Sequence, residues 1–263
     1  MKPTLAFFCL SLALLASSGA AQAELAEVPC PSAAEYSGLG TTLPTTAAAL
    51  RRGDELVIVA IGSSSTAGTG ASNGKHTYPA RLEGELHRRW PGHRVRVINK
   101  GIGGEEAPQM LARFQRDVLS QNPDLVIWQA GTNMLLRNGT RETLQPLLRS
   151  GIQALKAEHI DVVLMDPQYA PKVTDVPNHS GFVTAIAETA QEQHVGLFHR
   201  FALMRDWVKD KDFAVNDVIS LDKLHMNDVS YSCVAKALAA GIADAVRATP
   251  IPMATQHGNT QAR

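Results

Sequence analysis

Five short apolar runs, each rich in Val and Ile and separated from the next by a segment with helical periodicity, constrain this chain more than any other feature. They are Leu56 to Ile61, Val95 to Ile98, Leu125 to Trp128, Val162 to Met165 and Val195 to Phe198. Unbroken β-branched runs of this length suit strands buried on both faces. The intervening patterns predict helices over roughly 79–90, 108–119, 141–158 and 181–193, and a last helix over 228–247 aligns Val229, Cys233, Ala237, Gly241 and Ala245 on one face. Parallel neighbours need a crossover of a dozen or more residues, which places helices on both faces of the sheet. The expectation is an α/β chain built on a parallel sheet.

The ends bound this unit. Lys2, the apolar stretch Leu5 to Leu15 and the small residues ending in Ala21-Gln22-Ala23 have the three regions of a secretory signal peptide, so residues 1–23 are expected to be cleaved after Ala23. Export would make the protein secreted or periplasmic. That stretch is short for a membrane span and no later run reads as long enough for one, so no stable membrane insertion is expected. Cys9 invites a lipid-anchor reading, but Ala6-Phe7-Phe8 lacks the small residues such a site needs. Residues 24–50 are rich in Ala, Thr, Pro and Ser and read as an irregular segment, residues 51–249 as the domain, and 250–263 as a flexible tail.

Charge is balanced, with 25 basic and 25 acidic residues, and no basic stripe with interleaved aromatics points to nucleic acid. Loss of the leader removes one of three cysteines. Cys30 and Cys233 remain, and an oxidising compartment would permit a disulfide between them, two isolated thiols being the alternative.

Four segments sit where chemistry would be expected, the first three directly after apolar runs. Gly62-Ser63-Ser64 permits a tight turn with a serine at a helix start, or equally a serine-rich cap. Asn99 to Gly104 is a glycine-rich turn able to turn a backbone N–H toward a substrate oxygen, or merely to connect two elements. Gly131-Thr132-Asn133 offers an amide at the edge of the third run, and Asp222-Lys223-Leu224-His225 puts a carboxylate three residues before an imidazole. Nucleotide sites are excluded: Thr69 and His76 break a phosphate loop around Gly74-Lys75, and Glu106 occupies the last glycine of a dinucleotide fingerprint. The α/β-hydrolase elbow fails too, because Thr66 stands where its final glycine belongs.

Taken in order, the four segments resemble the blocks of the SGNH, or GDSL-type, hydrolase superfamily. The resemblance runs from about Leu56 to the last helix. It implies a three-layer α/β/α, flavodoxin-like fold with a five-stranded parallel sheet. It further implies Ser64 as nucleophile, His225 as base oriented by Asp222, and an oxyanion hole from Ser64, Gly104 and Asn133, with no metal or organic cofactor. Ser63 replaces the usual Asp beside the nucleophile and Met134 the Asp that often follows the asparagine. The function so implied is hydrolysis of small acyl esters, such as O-acetylated carbohydrate or short-chain lipid esters. A carbohydrate O-acyltransferase and a non-catalytic glycan-binding relative are the alternatives. Gln168 and Tyr169, after the fourth run, are expected either to line the substrate site or to lie in an ordinary surface loop.

Overall fold

A computed structural model describes Cys30, residues 34–210 and residues 213–251. The expected signal peptide and the tail from residue 252 lie outside the described residues.

Each of the five apolar runs forms a strand: β1 (Leu56–Gly62), β2 (Val95–Gly101), β3 (Leu125–Gln129), β4 (Asp161–Met165) and β5 (Gly196–Phe198). They form one parallel sheet in the order β2-β1-β3-β4-β5, with Ile58 paired to Val97 on one side and Leu125 on the other. Four strands are buried throughout, but β2 is an edge strand whose Arg96 and Asn99 face solvent. The expectation of burial on both faces fails at this edge only, since β5, at the opposite edge, is buried throughout.

The longer helices are α1 (Pro44–Arg52), α2 (Tyr78–Arg89), α3 (Arg141–Ala157), α4 (His179–Glu192), α5 (Arg200–Lys209) and α6 (Asp228–Arg247). Helices α2 and α6 pack together on one face of the sheet, with α1 beside α6, whereas α3 and α4 pack together against β4 and β5 on the other. The result is a three-layer α/β/α fold. Helix α6 has the length and apolarity to cross a membrane, contrary to the reading that no later segment does, yet 72% of its apolar window is buried inside the protein. Its hydrophobic face is consumed by the core.

Within the stretch 24–50 expected to be irregular, the described residues 34–50 are largely helical. Ala34–Ser37 and α1 are helical, and Leu39, Leu43, Ala49 and Leu50 join the core. The Asp161 carboxylate at the start of β4 accepts hydrogen bonds from both the Thr46 N–H and its hydroxyl, at 2.8 Å each. Alanine and threonine carry little helical periodicity, so this docking was hidden in the sequence. Cys30 is disulfide-bonded to Cys233 on α6, with Cα atoms 5.3 Å apart, and this ties the start of the segment to the same layer.

The helix expected over 108–119 is broken at Arg113 into Ala107–Ala112 and Phe114–Asp117. The reason is electrostatic. Arg113 is buried, and its guanidinium pairs with Glu105 and Asp117 while donating to the Lys100 carbonyl at 2.8 Å. A side chain drawn inward to satisfy backbone at the end of β2 interrupts the amphipathic pattern.

Candidate active site

The carboxyl ends of β1, β2 and β3 bring three of the four segments together. After β1 the chain turns at Gly62 into a one-turn helix, Ser64–Ala67. Ser63 and Ser65 are buried, whereas Ser64 is only half-buried. Ser63, the residue that departs from the pattern the resemblance implies, donates from both its N–H and its hydroxyl to Gln129 Oε1 at the end of β3, at 3.0 and 3.1 Å. The replacement therefore joins two strand ends through neutral groups. Gly101 at the end of β2 allows this turn to sit down: a Cβ there would lie 2.0 Å from the Ala67 nitrogen and 2.5 Å from the Thr66 carbonyl carbon. Backbone contacts that close admit no side chain.

His225 reaches Ser64 from the other side. Its Nε2 lies 2.7 Å from Ser64 Oγ, and its Nδ1 is paired with Asp222 Oδ2. With the Nδ1 proton donated to the carboxylate, Nε2 is left to accept from the serine hydroxyl. The second oxygen of Asp222 accepts from the backbone N–H groups of Leu224 and His225 and from the Ser220 hydroxyl, each at 2.9 Å. Burial pushes the Asp222 pKa upward, but the hydrogen bonds from His225, Leu224 and Ser220 outweigh it and hold the carboxyl well below its ordinary value. It is thus an anion positioned to stabilise an imidazolium.

The oxyanion candidates lie beside the serine. A Cβ on Gly103 would come 3.9 Å from Ser64 Cβ, which places the Asn99–Gly104 turn against the nucleophile position. Among the described residues no acceptor takes the backbone N–H of Ser64 or of Gly104. Asn133 lies in the first turn of the short helix Thr132–Leu136, and its Nδ2 donates one hydrogen to the Glu105 carbonyl at 2.8 Å, leaving the other for a ligand. Met134, at the second departure from the pattern the resemblance implies, is buried in the core. Gly103, Gly104 and Asp222 are exposed, so the site is open and shallow.

Gln168 does not line this opening. It is buried, and its amide is occupied on both sides by protein, Nε2 donating to the Leu224 carbonyl at 3.0 Å and Oε1 accepting from Arg200 at 3.0 Å. The loop after β4 folds beneath the histidine turn, which removes Gln168 from any substrate. Tyr169 is half-buried, with its ring edge-on to Phe201 at 5.3 Å.

Several residues that shape the site were not singled out from the sequence. Gln129, a polar residue closing an otherwise apolar strand, carried a visible signal, as did Ser220 two residues before Asp222. Arg137 carried none; its guanidinium donates to the Gly104 carbonyl at 3.0 Å and pairs with Glu106 at 2.5 Å. The segment Thr69–His76, which imitates a phosphate loop, is clasped to the start of α6. The Ser72 N–H donates to Asp228 at 2.9 Å, and His76 lies 2.7 Å from the same carboxylate. This clasp seats Gly70, with φ of +92°, against the histidine turn, where a Cβ would meet the Met226 carbonyl at 2.2 Å and His225 Cβ at 3.2 Å.

A parallel-sheet protein with a Ser, His and Asp cluster at the carboxyl edge defines the class. The particular family follows from residues 29–248, which match the family described as non-GDSL lipase-like; the chain belongs to it. An acetylxylan esterase from Geobacillus stearothermophilus is 30% identical over 102 residues, which are 35% of this chain and 47% of that enzyme. The match thus spans about half the length of that relative. Among solved structures, a two-domain esterase active on acetylated mannans superposes with a TM-score of 0.69 at 18% identity, covering 83% of this chain and 60% of that one. An acetylxylan esterase from G. stearothermophilus superposes with a TM-score of 0.60 at 22% identity, over 71% of this chain and 94% of its own. These structural likenesses show the fold.

Proposed function

We propose that this protein is an exported serine esterase of the SGNH type that removes small acyl groups, foremost acetyl, from carbohydrate esters. The observation that carries the reading is the continuous hydrogen-bonded line from Ser64 Oγ through His225 to Asp222. Further support comes from relatives and structural neighbours described as esterases of acetylated xylan and mannan. Variants of the Geobacillus enzyme lacking one serine or one histidine are described as catalytic mutants, in keeping with a serine and histidine mechanism. The open site suits an acetyl group carried on a polymer, which a closed pocket would exclude.

In the proposed reaction Ser64 Oγ attacks the ester carbonyl carbon while its proton passes to His225 Nε2, and Asp222 stabilises the resulting imidazolium. The Ser64 and Gly104 N–H groups and the free Asn133 amide hydrogen take up the oxyanion. Collapse expels the alcohol with the proton from His225. Water, deprotonated by the same imidazole, then attacks the acyl-enzyme, releasing the acid and returning the proton to Ser64.

The test is a series of nitrophenyl esters of increasing acyl length together with acetylated xylan, mannan and peptidoglycan, scored by acid released. Acetate release from the polysaccharides and a steep fall beyond short acyl chains are expected. A preference for long chains would redirect the reading to lipid esters. Transfer of the acyl group to an added sugar in place of water would make the protein an acyltransferase, and glycan binding without labelling by a fluorophosphonate would make it a binding module.

A further inference from the structure

We propose that Gln168, oriented by the buried Arg200, is a positioning residue for the His225 turn; this rests on the esterase reading for its kinetic consequence. The turn carrying Asp222 and His225 belongs to no helix or regular strand, and Lys223 within it has φ of +63°, a left-handed conformation that a lysine adopts only at a cost. Such a turn persists when its surroundings over-determine it. Both carbonyls at and after the strained residue are tied to the loop that follows β4. The Lys172 N–H donates to the Lys223 carbonyl at 3.0 Å, and Gln168 Nε2 donates to the Leu224 carbonyl at 3.0 Å.

The direction of the Gln168 amide is set from behind. Arg200, the first residue of α5, is completely buried, and a guanidinium can only donate. Its Nη2 at 3.0 Å therefore requires the amide oxygen on its side, and Thr132 adds a longer contact to that oxygen at 3.4 Å. The amide nitrogen is left facing Leu224. Arg200 is itself fixed by donating from Nε to the Asp166 carbonyl at 3.0 Å, while the Asp166 carboxylate accepts from the Phe201 N–H at 2.8 Å. The ends of β4 and β5 thereby form a rigid polar shelf under the residue next to the histidine. Charge buried at such expense, in a place that touches no substrate, is accounted for by the geometry it imposes above it.

The experiment uses two variants of the full chain. Gln168→Leu removes both halves of the link, whereas Gln168→Glu keeps an acceptor for Arg200 and replaces the donor to Leu224 by a carboxylate oxygen. Steady-state kinetics on p-nitrophenyl acetate are normalised to sites titrated with a fluorophosphonate, and hydrogen–deuterium exchange is followed over residues 219–227. Both variants are expected to lower kcat per titrated site about 10-fold with KM within about twofold, as a small misplacement of the base demands. In both, the Leu224 and His225 amides should exchange faster while α6 and the sheet stay protected. Unchanged kcat per site with unchanged exchange would overturn the proposal. So would a change confined to KM, which marks a substrate contact, or exchange quickened across the whole sheet, which marks a core residue. A wild-type protein that neither labels nor hydrolyses would sink the esterase reading, and local exchange at 219–227 would still decide whether Gln168 holds the turn.

Discussion

The serine turn and the histidine turn meet across 2.7 Å but are held by different physics. Ser64 sits at the end of a strand buried on both faces, on a helical turn pressed so close to Gly101 that atoms leave no freedom. His225 sits in a stretch without regular structure, whose shape comes from three donors on Asp222, a bond to Gln168 and the seat provided by Gly70. The serine turn is placed chiefly by close backbone packing, with Ser63 bonded to Gln129 behind it, and the histidine turn chiefly by hydrogen bonds. Close packing is intolerant of added volume, whereas a polar cage is weakened when a single donor is lost.

The largest effect should come at the meeting point. Ser64→Ala is expected to abolish fluorophosphonate labelling and lower kcat on the order of 10³-fold or more, while Ser63→Ala and Ser65→Ala keep labelling, because those two hydroxyls face inward. A Ser64→Ala protein that still labels would break the assignment of the first turn. Next, Asn133→Ala should lower kcat about 10² to 10³-fold, through one missing oxyanion donor and release of the Glu105 carbonyl, measured on p-nitrophenyl acetate.

The contrast between the two supports is sharpened by a pair of milder changes. Gly101→Ala should destabilise the fold by about 1–3 kcal/mol in chemical denaturation, since the added methyl meets backbone. Ser220→Ala should cost only about 1 kcal/mol yet lower kcat several-fold, roughly 3 to 10, because it strips a donor from Asp222. If Ser220→Ala instead unfolds the protein and Gly101→Ala leaves it stable, the two supports have been assigned the wrong way round.

The smallest effect concerns the shelf beneath the histidine turn. Burial pushes the Asp166 carboxyl from 3.8 up to about 7, against the opposing influence of the Phe201 N–H and Arg200. Between those values the folded form keeps a proton that the unfolded chain has lost. Asp166 therefore subtracts stability as pH rises from about 4 to about 7 and adds no further slope above that. Asp166→Asn, which retains an acceptor for Phe201, should flatten this part of the Tm profile. An unchanged slope would mean that the carboxyl is ionised throughout the window.

The strands could be read from the chain because runs such as Leu56–Ile61 are local and leave a buried parallel strand as the natural outcome. The segments around Ser64, Gly104, Asn133 and His225 could be located because each follows a strand end or precedes a helix, but the roles expected of them came from the resemblance of the ordered set to the SGNH blocks. Tertiary structure alone decided the rest. Arg113 broke a helix to reach the Lys100 carbonyl, Thr46 docked an alanine-rich helix on Asp161, and Gln168 turned away from solvent toward Arg200 and Leu224. Each of these depends on a polar group whose partner is remote in the chain, from 13 residues for Arg113 to 115 for Thr46. Periodicity registers whether a residue is apolar and how often that recurs. It holds no record of which distant carbonyl a buried donor will meet, and in this protein such meetings govern how the imidazole is aimed.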